Sequence, residues 1–101
     1  MLTITALIRV KKGQEQIMKD GLLLVAENVR KNEPETIDFF VSQDPADLTL
    51  FTTYERFTDQ AAMDRHNNSA TVARFFEIAK PILDGDNAVT LVKALEISSK
   101  D

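Results

Sequence analysis

The sequence predicts an α+β domain with a four-stranded antiparallel sheet and its helices on one face, in the order β-α-β-β-α-β. Two observations carry this. Four stretches, 2–10, 36–43, 48–57 and 88–97, alternate with a period of two, and the stretches between 14–32 and 59–82 repeat at helical spacing. The 101-residue length suits one domain spanning residues 1–101.

Residues 2–10 put Leu2, Ile4, Ala6, Ile8 and Val10 on one face, with Thr3, Thr5, Leu7 and Arg9 on the other. Lys11-Lys12-Gly13 breaks the strand. Over 14–32, Met18, Leu22, Val25 and Val29 recur at spacings of four, three and four, the mark of an amphipathic helix. Asn32-Glu33-Pro34 ends it, because proline disfavours helical geometry in the residue before it. Residues 36–43 place Ile37, Phe39 and Val41 on one side. Asp44-Pro45-Ala46-Asp47 has turn composition. In 48–57, Leu48, Leu50, Thr52, Tyr54 and Arg56 oppose Thr49, Phe51, Thr53, Glu55 and Phe57. Thr58 or Asp59 caps a short helix to about Asn67, and Ser69 caps another to about Ile82, which Pro81 bends or ends. After the turn Asp84-Gly85-Asp86-Asn87, the last strand sets Val89, Leu91, Leu95 and Ile97 on one face. This is the ferredoxin-like plan. Several strands are apolar on both faces: Phe39 opposite Phe40, Leu50 opposite Phe51, Ile8 opposite Leu7. A sheet apolar on both sides needs a second cover, and a two-fold homodimer packed sheet to sheet supplies it. Scattered surface apolars are the alternative.

Composition narrows the chemistry. With no cysteine there is no disulfide, thiolate nucleophile or iron–sulfur cluster. A single histidine and no ligand spacing predict no metal site. Gly13, Gly21 and Gly85 are isolated, so no dinucleotide fingerprint or phosphate loop exists, and no cofactor is expected. The net charge of −4 speaks against nucleic acid as a partner. The longest apolar run, Leu22 to Ala26, is too short to span a membrane. Met1 to Thr5 lack the basic segment of a signal peptide, which leads to the expectation of a soluble cytoplasmic protein.

His66 is the first candidate for proton chemistry, since a neutral imidazole beside an apolar pocket takes up a proton near neutral pH. Its alternative role is to cap the end of its own helix. Glu55 shares a face with Phe51 and Phe57, so its carboxylate must be paired or perturbed. Its alternative partner is Arg9 or Arg56. Tyr54 points away from Glu55, as strand neighbours do; it either donates to a bound oxygen or fills the core. Phe39, Phe51 and Phe76 are either core or the walls of a flat aromatic pocket. Asn28 on the first helix is a candidate polar contact or an exposed helix position.

The segment Phe51 to Ser69 resembles the antibiotic biosynthesis monooxygenase family. Glu55, Phe57, the capping Asp59, Ala61 with Ala62, His66 and Ser69 carry the resemblance, together with the opening Ile4 to Gln14. The resemblance implies a dimeric ferredoxin-like barrel with a pocket between sheet and helices. It also implies oxidation of a small quinol or other electron-rich aromatic by molecular oxygen without a cofactor. In that chemistry a base removes the phenolic proton and the anion reduces oxygen. His66 would be the base or orienting group and Glu55 its electrostatic partner. Tyr54 and Asn28 would be polar contacts, and Phe39, Phe51 and Phe76 the walls. The first strand has no Asn and the chain no Trp, unlike haem-degrading relatives. Two other readings fit the scaffold: an isomerase that moves a proton at His66, and a non-enzymatic ligand-binding or stress-response dimer.

Overall fold

A computed structural model describes residues 1–100; Asp101, the last residue of the expected domain, lies outside them. Strand β1 (Leu2–Arg9) leads into helix α1 (Glu15–Asn32). Strands β2 (Thr36–Gln43) and β3 (Leu50–Phe57) form a hairpin. Helices α2 (Gln60–Asn67) and α3 (Ala70–Ala79) follow, then a 3-10 turn over Lys80–Ile82 and strand β4 (Val89–Leu95). All pairings are antiparallel and the sheet order is β2-β3-β1-β4. The expected ferredoxin-like α+β plan is the observed one.

Local chemistry sets the boundaries. Gly13 has a φ of 94°, a conformation that suits glycine, and so closes the turn into α1. Asp59 caps α2 by accepting from the Ala62 amide, and Ser69 caps α3 by accepting from that of Val72. The last helix ends at Ala79 rather than near Ile82, because Pro81 enforces the tighter 3-10 turn. The expected strand at 48–57 begins only at Leu50. Asp47 holds Leu48 and Thr49 in the turn by accepting from the Thr49 amide and hydroxyl.

Met18, Leu22, Val25 and Val29 are all buried, as their spacing predicts. Met18 and Leu22 pack with Ala6, Ile8, Val10 and Phe51; Val25 and Val29 pack with Val72. Each large side chain so buried contributes roughly 1.5–3 kcal/mol. Gly21 lets α3 approach α1: a Cβ there would stand 3.3 Å from the Phe75 ring.

Two expectations need correction. Ile37 does not join Phe39 and Val41, because the β2–β3 register shifts between Thr36 and Asp38 and leaves it exposed. Nor does the expected strand 88–97 hold Ile97 with Val89, Leu91 and Leu95. The strand stops at Leu95 and all four are exposed, because β4 is an edge strand that the helices leave largely uncovered. That uncovered strip positions the site.

Candidate active site

Cross-strand register builds the site in rows. On the helix-facing side, Ile4 lies opposite Glu55 on β3 and opposite Lys93 on β4; Phe39 on β2 completes the row. The next row holds Ala6, Thr53, Val41 and Leu91. Between these rows, α1 and α3 is a cavity of about 240 Å³. Its walls are mostly apolar, with Ile4, Val25, Phe39, Val72, Phe75 and Phe76 prominent. Its polar groups are Thr53, Glu55, His66, Asn67 and Lys93. Phe76, Leu91 and Lys93 are exposed at the mouth, whereas His66 and Glu55 are only 3% and 6% exposed.

His66 projects from the last turn of α2 between two carboxylates. Its Nδ1 hydrogen-bonds Glu33 Oε1 at 2.7 Å, and its Nε2 lies 3.2 Å from Glu55 Oε1. The rings of Phe39 and Phe57 flank the imidazole, with centroids 5.6 and 5.4 Å away. Burial alone would push the imidazolium toward deprotonation. Contact with Glu55 and Glu33, and the attraction of both charges, outweigh that, so its pKa is raised above 6.5. With both nitrogens facing carboxylates, an imidazolium in this place would donate from each of them. Both phenyl rings are tilted to the imidazole, by 51° and 50°, within the distance at which an aromatic ring attracts a cation.

Both carboxylates are themselves held. Thr53 Oγ1 donates to Glu55 Oε2 at 2.8 Å. Glu33, the C-terminal cap of α1, accepts from Thr36 Oγ1 on Oε1 and from Asn28 Nδ2 on Oε2. Asn32 in turn donates to Asn28 Oδ1. Among the described residues no buried side-chain polar atom lacks a partner. The carboxylates flank the ring rather than converge, and among the described residues no group of three acidic, histidine or cysteine side chains could hold a metal ion.

The structure brings together His66, Glu55, Phe39 and Phe76 from the residues anticipated. It separates three others. Tyr54 lies on the opposite face of the sheet, exposed and stacked on Phe40, so it neither reaches the cavity nor fills the core. Strand alternation forces this, since Glu55 points the other way. Phe51 is buried under the first half of α1 with Met18 and does not line the cavity. Asn28 acts one step removed, through Glu33. The alternative partners also fall away: Arg56 pairs with Asp38 and Glu96 on the far face, Arg9 with Asp47, and the His66 ring turns to Glu33 and Glu55. Glu33 was missed because Glu33-Pro34 reads as a helix stop. Its one local signal is an acidic side chain at an otherwise unremarkable helix end, and its contact with His66 spans 33 residues of chain.

Fold and site together define a small ferredoxin-like domain with a buried acid–imidazole–acid cluster at the closed end of an apolar cavity. The chain belongs to the antibiotic biosynthesis monooxygenase family, whose model matches residues 1–78 and so includes Glu33, Glu55 and His66. Among curated proteins no sequence relative matches. The crystal structure of PA3566 from Pseudomonas aeruginosa is similar at 25% identity, covering 96% of this chain and 94% of that one, with a TM-score of 0.84. A Nitrosomonas europaea protein provisionally named an antibiotic biosynthesis monooxygenase shares 17% identity over 97% of this chain and 100% of its own, TM-score 0.86. Rv0793 from Mycobacterium tuberculosis shares the fold at 12% identity, covering 99% and 98%, TM-score 0.87. No helix among the described residues is long and apolar enough to cross a membrane.

The raised pKa of His66 fixes a sign for stability. Its contribution is fully present below 6.5, the ordinary value, and is lost as pH rises through the folded value. The melting temperature is therefore expected to fall as pH is raised above 6.5, and Glu33→Gln to move that fall to lower pH. A wild-type melting temperature that stays flat or climbs across this window contradicts the arrangement.

Proposed function

We propose that the protein is a cofactor-independent monooxygenase that oxidises a small phenol or quinol with molecular oxygen. The observation that carries this reading is the buried Glu55–His66 pair at the closed end of the apolar cavity. A cavity of about 150 Å³ holds benzene, so about 240 Å³ accommodates one or two fused rings. Phe39 and Phe76 are the aromatic walls.

The charge state of the cluster exchanges the roles that the sequence suggests. With His66 as the cation shared by both carboxylates, Glu55 accepts the phenolic proton and the imidazolium stabilises the phenolate. Two carboxylates and one imidazolium carry a surplus negative charge in a dry site; taking up that proton neutralises it. The electron-rich anion passes one electron to oxygen, and the substrate radical and superoxide recombine at a ring carbon. Glu55 returns the proton to the peroxide. Loss of water then leaves one oxygen atom as a carbonyl on carbon, while the other departs in the water. Oxygen uptake against a panel of quinols and anthrones tests this. Both His66→Ala and Glu55→Gln are expected to lower the rate by about 10²–10⁴-fold. A change below about threefold in folded variants overturns the assignment, and turnover that persists without oxygen points to isomerisation.

We further infer that the protein works as a two-fold dimer packed through the sheet face opposite the helices. Leu7, Phe40, Tyr54 and Val92 are exposed there, and apolar groups of this size sharing one face favour a second cover. Sedimentation is expected to give twice the 11.3 kDa chain mass, and Phe40→Glu to give the monomer. A monomeric wild type at micromolar concentration contradicts the dimer.

A further inference from the structure

The cavity has opposite charges at its two ends. At the closed end the Glu33–His66–Glu55 cluster carries surplus negative charge. At the mouth stands Lys93, among the described residues the only lysine or arginine that lines the cavity. Among the described residues the Lys93 ammonium has no ion pair and no hydrogen bond, whereas Arg9, Lys31, Arg56 and Arg65 pair with carboxylates away from the cavity. Register fixes its place: Lys93 and Glu55 flank Ile4 in one row, two strand spacings apart, or roughly 10 Å between Cα atoms. The strip between them is apolar, with Ile4, Ala6 and Leu91 on the sheet side and Val72 and Phe76 on the helix side.

An anion is repelled from the closed end and attracted at the mouth. A neutral hydroxyl finds an acceptor at the closed end. We propose that the cavity selects a hydroxylated aromatic acid, its phenolic O–H directed at Glu55 and its carboxylate paired with Lys93 at the rim. The inference deepens the monooxygenase reading and rests on it for the direction of the hydroxyl. The carboxylate remains at the mouth, away from the reacting carbon, and takes no part in electron transfer. Its role is to fix which end of the ring system enters first. An amine in the same position would meet the Lys93 ammonium, and an unsubstituted phenol would leave that ammonium without a counter-charge.

Calorimetric titration of the 101-residue chain with 6-hydroxy-2-naphthoate and with 2-naphthol tests the proposal without any need for turnover. The acid is expected to bind about tenfold more tightly than the naphthol, the scale of one charge-assisted contact. Lys93→Gln is expected to bring the two affinities within about twofold, and Lys93→Glu to invert the preference. Lys93 is exposed on an edge strand, so both variants keep the core intact. Equal affinities in the wild type, a preference that survives in Lys93→Gln, or no binding of either compound overturns the proposal. The two readings separate cleanly. Acid preference without oxygen uptake retires the monooxygenase assignment alone, whereas oxygen uptake without acid preference retires the role of Lys93 alone.

Discussion

A histidine with almost no solvent contact must either stay neutral or find partners for a charge, and His66 has two carboxylates within 3.2 Å. Much of the site follows from meeting that demand. The end of α1 is placed by it: Pro34 stops the helix where Glu33 can reach the ring, and Asn28 and Thr36 hold the carboxylate there. The α2 cap at Asp59 sets the phase of a helix of only eight residues, so that Ala62, Met63 and His66 share the buried side. Phe39 and Phe57 pack beside the ring, and their apolar bulk lowers the screening of the ion pairs. Removing either carboxylate would leave a buried charge short of a partner, which costs more than an ordinary surface ion pair is worth.

A second constraint is geometric. The sheet has four strands, but α1 and α3 pack mainly over β1, β2 and β3, so β4 stands largely without a helical roof. In a tightly closed core the apolar side chains of β4 would be buried. Here Val89 and Leu91 are half-exposed walls of an open cavity. The family match ends at residue 78, before this strand, so the acid–imidazole cluster and Phe76 lie inside the matched region, and Leu91 and Lys93 outside it.

Element order and most of the buried residues were legible in the sequence, because both follow from period. Met18, Leu22, Val25 and Val29 sit on one face of α1 at any plausible tertiary arrangement. His66 was legible as the single histidine, and Glu55 as a carboxylate on an apolar face. Their mutual contact was not, since it joins a helix end to a strand interior. Glu33 was hidden for the same reason, with a conventional helix stop to account for it. Tyr54 shows the opposite failure. Alternation already set it against Glu55, and grouping both in one pocket overrode a rule that the strand obeys. The exposure of β4 was not legible, because burial depends on what covers a strand, and its own sequence does not say.

The account stands on His66 being a cation shared by two carboxylates. The most direct measurement is a ring-nitrogen NMR spectrum of 15N-histidine-labelled protein at neutral pH, where this single histidine gives an unambiguous signal. Two protonated ring nitrogens, Nδ1–H toward Glu33 and Nε2–H toward Glu55, are the predicted result. One protonated and one bare nitrogen would contradict the account, restore His66 as the base and leave Glu55 as its partner.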